Sequence, residues 1–249
     1  MKTWIRCFFP LDAPEKRLIC FPHAGGPAGS YRSMAEVLKD SGIEVLAVQY
    51  PGRQDRYDEP PARRVEELVD AVVEELVPRL DGGRPFGLFG HSMGSLLAFE
   101  TARRVESLGL VPDVLFASAR QGPSWIWPAA RAALMHEASD EALVEEMRKL
   151  GGSEDDLLAH PELMELALPV MRADYRLLST YLYRPGAPLA CSVATLVGDA
   201  DPSVPVADMR SWESETRGRF RSHVLPGGHF YIDDRLPEVC AIVRTGLGV

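Results

Sequence analysis

One short stretch, from Phe86 to Leu96, constrains the fold of this chain more than any other. It begins as an apolar run that predicts a buried strand, passes through Gly90-His91-Ser92-Met93-Gly94, and continues into an apolar helix. This is the G-x-S-x-G pattern in the strand-to-helix setting that it requires. Glycine is needed two positions on either side of Ser92, because side chains there would clash with the strand and the helix. The turn is therefore predicted to expose the Ser92 hydroxyl above the sheet edge and to direct the first helical N–H groups at a developing oxyanion.

Strand-like and helix-like segments alternate along the first half of the chain, which predicts a mostly parallel sheet covered by helices on both faces. The predicted strands are Thr3 to Phe9 at an edge, Arg17 to Phe21, Ile43 to Val48, the strand before Ser92, and Val114 to Ser118. The predicted helices run from a Ser30 cap to Lys39 with Gly42 just beyond, from Val65 to Leu80 with apolar residues at helical spacing, and from Ser92 to about Leu108.

The alternation stops between about Gly122 and Pro188. Two helical stretches, about Asp140 to Leu150 and Pro161 to Tyr183, follow each other there without a strand between them. We therefore expect one domain over residues 1–249, with a helical lid inserted at 122–188 above the carboxyl edge of the sheet. The alternation then resumes with a strand at Ser192 to Val197, a helix at Val206 to Thr216, a strand at Phe220 to Leu225 and a helix at Pro237 to Gly246.

The composition narrows the class of protein. A formal net charge of -9 argues against general nucleic-acid binding. The sequence contains neither a signal peptide at its N-terminus nor an apolar run long enough to span a membrane. Its four cysteines stand far apart without a C-x-x-C pair, which favours reduced thiols over a metal or disulfide site. We therefore expect a cytoplasmic enzyme without a metal ion.

Candidate catalytic residues lie in the loops that follow the predicted parallel strands, where open parallel sheets collect their functional groups. These loops carry Ser92, then Asp201, then His229, the chain order of the α/β-hydrolases. A serine hydroxyl needs an imidazole to accept its proton, and a carboxylate must hold that imidazole in the right tautomer. We therefore predict an α/β-hydrolase fold with Ser92, His229 and Asp201 as nucleophile, base and orienting acid.

An oxyanion hole needs two backbone N–H donors. The first is predicted to be Met93, the residue after the nucleophile. The second is expected in the loop His23-Ala24-Gly25-Gly26, where Ala24 is preferred and Gly25 stays open.

Several residues compete for these roles or have simpler interpretations. Asp199 is the alternative to Asp201, which is preferred because Asp201-Pro202-Ser203-Val204-Pro205 forms a turn that can hold the carboxylate. His223 lies inside a predicted strand, so His229 after two glycines is preferred. The remaining candidates have structural interpretations: His23 and His91 orient loops, His136 and His160 are surface residues of the lid, Arg53 and Arg56 form solvated ion pairs or brace their loop, and Trp125-Ile126-Trp127 is either core or the lining of an apolar chamber.

Five ordered motifs resemble a known family, the discrete type II thioesterases of polyketide and non-ribosomal peptide pathways. They are Leu18 to Gly26, Val45 to Arg53, Phe86 to Gly94, Leu196 to Pro202 and Pro226 to Phe230. Two segments of the predicted lid, Lys149 to Gly152 and Leu168 to Tyr175, are similar to the lid of that family. The chain departs from the family pattern at Ser118-Ala119-Arg120-Gln121-Gly122-Pro123, where a glycine and a second basic residue are expected.

The resemblance implies hydrolysis of stalled or wrong acyl groups from the phosphopantetheine arm of acyl or peptidyl carrier proteins. It implies that Ser92 is acylated, that Asp201 and His229 complete the triad, that Ala24 and Met93 bind the oxyanion, and that no metal or organic cofactor takes part. Because carrier proteins are usually acidic like this chain, we expect a local basic docking patch near the lid entrance. We expect a monomer that binds neither nucleic acid nor membrane. Two alternatives stay open: a general esterase of small esters and a non-catalytic carrier-binding protein.

Overall fold

The fold is that of a computed structural model, which describes residues 3–80, 83–125, 134–151 and 160–249. Seven strands form one sheet within this part of the chain, in the order β1-β3-β2-β4-β5-β6-β7. The strands are β1 (Ile5–Arg6), β2 (Lys16–Phe21), β3 (Ile43–Val48), β4 (Phe86–His91), β5 (Val114–Ser118), β6 (Ser192–Gly198) and β7 (Phe220–Leu225). Only β1 runs antiparallel to its neighbour among these strands. This confirms the predicted mostly parallel sheet with an edge strand near the N-terminus, shorter than the sequence indicated.

Helices cover both faces of the sheet. They are α1 (Arg32–Lys39), α2 (Val65–Leu80), α3 (Met93–Ser107), α4 (Asp140–Leu150), α5 (Pro161–Ser179), α6 (Tyr231–Asp234) and α7 (Leu236–Leu247). One buried apolar layer lies between the sheet and α2 and α3, and a second lies between the sheet and α1 and α7. The helices that cover the sheet therefore lie close to the residues for which the apolar spacing predicted them.

Two predicted helical segments differ in their details. Ser30 does not cap α1, because it lies inside a 3-10 helix at Ala28–Tyr31 and its own N–H donates to Pro27 O at 3.1 Å. Val206–Glu215 is a 3-10 helix rather than an α-helix. Its Ser211 hydroxyl donates to the carbonyl three residues earlier, Asp208 O, at 2.5 Å. Such local side-chain bonds compete with regular α-helical pairing.

Helices α4 and α5 lie between β5 and β6 in the chain, as the interrupted alternation predicted, but α5 ends at Ser179 rather than at Tyr183. Their facing sides form a separate apolar cluster of Leu143, Met147, Met164, Met171 and Tyr175, against which Ala24 packs. We call α4 and α5 the lid. Parts of the predicted lid region, residues 126–133 and 152–159, lie outside the described residues.

Candidate active site

The turn between β4 and α3 holds Ser92 in a strained backbone conformation. Its φ is 53° and its ψ is -116°, a region that residues with side chains rarely adopt. The Ser92 N–H donates to Ser118 O at the end of the neighbouring strand β5, at 2.8 Å. Pairing with the adjacent strand thus stabilises the turn.

The two glycines of the turn are required by close packing, as the sequence pattern predicted. A Cβ atom at Gly90 would lie 2.2 Å from Gly94 O, and one at Gly94 would lie 1.9 Å from Phe21 O. Both contacts are with backbone atoms, which cannot move aside as a side chain can. Helix α3 therefore starts directly against the ends of β2 and β4, and Ser92 stands at the carboxyl edge of the sheet.

Asp201 and His229 meet at the same edge, one in the loop after β6 and the other after β7. His229 Nδ1 lies 2.8 Å from Asp201 Oδ2, and the side chains are 4% and 0% exposed. The second carboxylate oxygen, Oδ1, accepts hydrogen bonds from Ser203 N at 2.8 Å, Ser203 Oγ at 2.9 Å and Val204 N at 3.1 Å. The turn after Asp201 therefore holds the carboxylate as predicted.

These contacts determine the protonation of the pair. Burial raises the pKa of Asp201, but hydrogen bonds from His229 and Ser203 outweigh burial and leave the pKa below its ordinary value. The side chain is therefore an acceptor-only carboxylate near neutral pH. His229 must then carry its proton on Nδ1, which leaves Nε2 as the free acceptor.

A cavity of about 60 Å³ beneath the lid brings Ser92, His229 and Ala24 together. Three regions line this cavity: the loops at the carboxyl edge of the sheet, the segment after β5, and the lid. The other residues that line it are His23, Ala119, Arg120, Gln121, Glu146, Leu150, Met171, Tyr175, Leu178, Ser203, Val204 and Phe230.

The two predicted oxyanion donors come from two different elements, helix α3 and the loop after β2. Met93 is the buried first residue of α3, where N–H groups have no partner within the helix. Ala24 lies in the loop after β2 and lines the cavity. The neighbouring Gly25 N–H already donates to Asp174 Oδ2 of the lid at 2.7 Å. Of the two residues that the sequence left open, Gly25 therefore has its N–H engaged away from the cavity.

The competing residues lie in other surroundings. Asp199 is exposed and accepts a hydrogen bond from Gly227 N at 3.0 Å. His223 lies within β7 and is half-buried. In the lid, His136 is half-buried rather than at the surface, whereas His160 is exposed as predicted. Trp125 is 48% exposed, so it is not core, and Ile126 and Trp127 lie outside the described residues.

Two further histidines, His91 and His23, lie near His229. His91 lies with its ring centroid 5.3 Å from that of His229, and His23 lies 5.9 Å from His91. Burial, assisted by the nearby His229, lowers the pKa of His23 to about 3 and that of His91 well below its ordinary value. Both rings are therefore neutral at neutral pH and place no positive charge beside His229.

His91 also belongs to a buried chain of hydrogen bonds that the sequence did not indicate. Its Nδ1 lies 2.9 Å from Ser118 Oγ, which lies 2.6 Å from the Tyr231 hydroxyl. This chain connects the Ser92 turn, the end of β5 and helix α6. The predicted role of His91 in orienting loops is consistent with these contacts.

Arg53 and Arg56 are not solvated, contrary to one of the two sequence interpretations, because they are only 6% and 3% exposed. Arg56 donates to Gln49 O at 2.9 Å and lies over the ring of Trp4 at 3.9 Å. Arg53 forms a buried ion pair with Asp174 of α5. The alternative interpretation, that both arginines brace their loop, agrees with these contacts.

The departure from the expected family pattern after β5 has a structural consequence. Ala119 adopts a φ of 52°, the left-handed region that favours glycine, and it lines the cavity. The adjacent Arg120 is partly buried, and burial lowers its pKa to about 10. An alanine side chain therefore lines the cavity within the segment where a glycine is expected.

Known proteins share this fold and much of this sequence. The model of the thioesterase domain family matches residues 16–247. The chain belongs to the thioesterase family. As a member of it, the chain is a thioester hydrolase, and its described fold is the α/β-hydrolase fold expected from the sequence.

Several known thioesterases are similar to this chain. The chain is 43% identical over 238 residues to thioesterase PikA5 of Streptomyces venezuelae, covering 95% of this chain and 83% of PikA5. It is 42% identical over 244 residues to a probable cadicidin biosynthesis thioesterase of Streptomyces griseus, covering 98% of this chain and 66% of the relative. Among solved structures, the type II thioesterase BorB from the borrelidin biosynthetic cluster superposes with a TM-score of 0.90 at 41% identity, covering 99% of both chains.

Within residues 3–80, 83–125, 134–151 and 160–249, no helix is both long and apolar enough to cross a membrane.

Proposed function

We propose that this chain is an editing thioesterase that removes stalled or wrong acyl groups from the phosphopantetheine arm of acyl or peptidyl carrier proteins. One observation carries the proposal: the strained Ser92 opens into the same cavity as His229, whose Nδ1 is held by the Asp201 carboxylate at 2.8 Å. The similarity to PikA5 and to the type II thioesterase BorB supports the substrate class.

In the first half of the reaction, Ser92 Oγ attacks the thioester carbonyl carbon and gives its proton to His229 Nε2. The carbonyl oxygen becomes an oxyanion, which accepts hydrogen bonds from the N–H groups of Met93 and Ala24. When the intermediate collapses, the C–S bond breaks, and the phosphopantetheine sulfur takes the proton from His229 Nε2 and leaves as a thiol. The acyl group is then an ester of Ser92.

In the second half, water replaces the thiol. His229 Nε2 takes a proton from water, whose oxygen attacks the Ser92 ester carbonyl through a second oxyanion. The C–O bond to Ser92 then breaks, and His229 returns the proton to Ser92 Oγ. Throughout the cycle Asp201 stays ionised and stabilises the imidazolium form of His229.

The cavity is where the acyl group would lie, because Ser92 and His229 both line it. The lid side chains Met171 and Tyr175 form part of its wall, so the acyl group would contact the lid. We propose that the region 122–188 acts as a lid that sets the acyl preference.

The chain is further proposed to act as a cytoplasmic monomer with a basic docking patch near the lid entrance. Cys7, Cys20, Cys191 and Cys240 are all unpaired, which agrees with a reducing compartment. Sedimentation of the purified protein tests the monomer.

Carrier proteins loaded with acetyl, propionyl or octanoyl phosphopantetheine provide the test, with intact-mass spectrometry of the carrier as the measurement. We expect loss of acyl mass from at least one of these carriers, and no loss with Ser92→Ala. Faster turnover of p-nitrophenyl esters with intact acyl carriers would instead indicate a general esterase. Carrier binding without any hydrolysis would indicate a non-catalytic carrier-binding protein.

A further inference from the structure

Asp174 of the lid helix α5 reaches the loop that carries the proposed second oxyanion donor. The residue is 4% exposed, and its Oδ2 accepts the Gly25 N–H at 2.7 Å. Gly25 directly follows Ala24 in the chain. A single carboxylate on the lid therefore contacts the peptide unit next to the proposed donor.

The same oxygen of Asp174 pairs with the guanidinium of Arg53, which follows β3. Both side chains are 6% exposed in this pair. The guanidinium also lies 5.2 Å from the centroid of the Tyr50 ring, and its Nη1 donates to Pro51 O at 3.1 Å. A buried carboxylate without a cation would be costly, so Arg53 is what permits Asp174 to lie here as an anion.

Close packing of the lid on the loop is an independent sign of the connection. Gly25 has a φ of 77°, and a Cβ atom built on it would lie 2.3 Å from the sulfur of Met171 in α5. The Met171 side chain is flexible and can shift, so the positive φ is what favours glycine here. The loop and the lid are therefore in contact at Gly25 through Met171 as well as through the hydrogen bond to Asp174.

The ends of the loop are fixed by the body of the protein rather than by the lid. The Tyr50 hydroxyl donates to Pro22 O at 3.1 Å, and Gln49 Oε1 accepts the Ala28 N–H at 3.0 Å. The middle of the loop, at Gly25, makes its hydrogen bond to the lid instead. A movement of α5 would therefore act on the peptide units nearest to Ala24.

We propose that Asp174 is a positioning residue, which fixes the oxyanion loop through the Gly25 N–H and so makes the geometry of Ala24 depend on the lid. In a trans peptide the N–H and the preceding C=O point in opposite directions. Because Asp174 holds the Gly25 N–H toward the lid, the Ala24 carbonyl of the same peptide points away from the lid. A flipped peptide would bring that carbonyl against the Asp174 carboxylate, which repels it.

Arg53 has a second role in this arrangement, since an anion close to an oxyanion raises the barrier unless a cation offsets it. The Arg53 guanidinium neutralises Asp174, so the loop is held by a carboxylate that adds no net charge to the site. The inference rests on the proposed function, because Ala24 matters only if an oxyanion forms at Ser92.

Steady-state hydrolysis of acetyl-N-acetylcysteamine thioester by four variants tests the inference, with active sites counted by a fluorophosphonate probe. For Asp174→Ala we expect kcat per labelled site to fall about 10- to 100-fold with KM within about threefold, as misplacement of catalytic groups by about an ångström produces. Asp174→Asn, whose amide oxygen still accepts the Gly25 N–H, should retain most of kcat. Asp174→Glu keeps the charge but shifts the acceptor, and it should also lower kcat. Asp140→Asn is the matched control, because it breaks another lid ion pair, to Arg172 at 2.6 Å, that does not touch the loop.

Unchanged kcat in both Asp174→Ala and Asp174→Glu would overturn the inference, and so would an equal fall in Asp140→Asn. If Asp174→Ala does not fold, Asp174→Glu and Asp174→Asn decide: a full kcat for the glutamate variant, or no advantage of the asparagine variant over it, contradicts the inference. The proposed function fails separately, in the unmodified protein, if that protein hydrolyses neither this thioester nor any acyl carrier.

Discussion

The imidazole of His229 donates from Nδ1 to Asp201 Oδ2 across 2.8 Å, and neither side chain is more than 4% exposed. The pair thereby joins the loops after β6 and β7 at the edge of the sheet where Ser92 stands. Because the carboxylate also accepts three hydrogen bonds from Ser203 and Val204, its orientation is set independently of the histidine. The geometry thus presents His229 Nε2 to the cavity in the form that can accept a proton.

Asp201→Asn should lower kcat by roughly 10³- to 10⁴-fold, because an amide does not enforce the Nδ1–H tautomer of His229 or stabilise its imidazolium form. The amide can keep the bonds from Ser203 and Val204, so the thermal midpoint should change little. The matched control is Asp199→Asn, which alters an exposed carboxylate that binds Gly227 N. A larger loss of kcat in the Asp199 variant than in the Asp201 variant would reverse the assignment of the acid.

Acidification should destabilise the protein through His23, whose pKa is lowered to about 3 from 6.5. Below about pH 6.5 the unfolded chain binds a proton at this position that the folded chain does not. Stability is therefore present above that pH and lost progressively toward pH 3, by about 1.4 kcal/mol per pH unit for each such proton.

Urea unfolding between about pH 7 and pH 5 measures this dependence. His23→Gln should reduce the slope of unfolding free energy against pH by about one proton. His160→Gln, which changes an exposed histidine of the lid, is measured beside it as the control. Equal slopes for the His23 variant and the unmodified protein would show that His23 is not held neutral by the fold.

The strained position of Ala119 predicts an unusual tolerance of glycine. Left-handed backbone costs a residue with a side chain about 1–2 kcal/mol, which offsets the chain entropy and the buried methyl group that a change to glycine loses. Both variants should lose stability, but Ala119→Gly should lose less than Ala117→Gly. The two losses in free energy of unfolding should differ by at least about 1 kcal/mol. Ala117 is a fully buried neighbour within β5 and has no such strain to relieve.

Equilibrium denaturation of the two variants checks this difference. Equal losses of stability would mean that the backbone at Ala119 stores no strain. Since Ala119 also lines the cavity, the glycine variant should shift the preference of the enzyme toward slightly longer acyl groups.

Local patterns predicted most of the fold. Val114–Ser118 and Phe220–Leu225 are strands over the predicted residues, because short apolar or alternating runs bounded by turns leave few alternatives. The α2 helix from Val65 to Leu80 follows from its apolar spacing in the same way. The juxtaposition of Ser92, His229 and Ala24 at one cavity follows from the parallel sheet, which gathers the ends of its strands at one edge.

Local sequence patterns do not predict contacts between segments that are far apart in the chain. The ion pair between Arg53 and Asp174 joins residues 121 positions apart, and no spacing rule relates them. The same holds for Ser118 and Tyr231, 113 positions apart. The prediction that Ser30 is a helix cap is wrong for a related reason. The Ala28 N–H at the start of the 3-10 helix donates to Gln49, which follows β3, rather than to a local side chain.

The central claim is that Ser92 takes the acyl group directly from a carrier-bound thioester. Rapid quenching of the protein with propionyl carrier protein, followed by peptide mass spectrometry, measures this transfer most directly. The account predicts transient propionyl mass on the peptide that contains Ser92, matched by its loss from the carrier and absent from Ser92→Ala. Deacylation of the carrier that proceeds undiminished in Ser92→Ala, or no loss of acyl mass from any carrier, would contradict it.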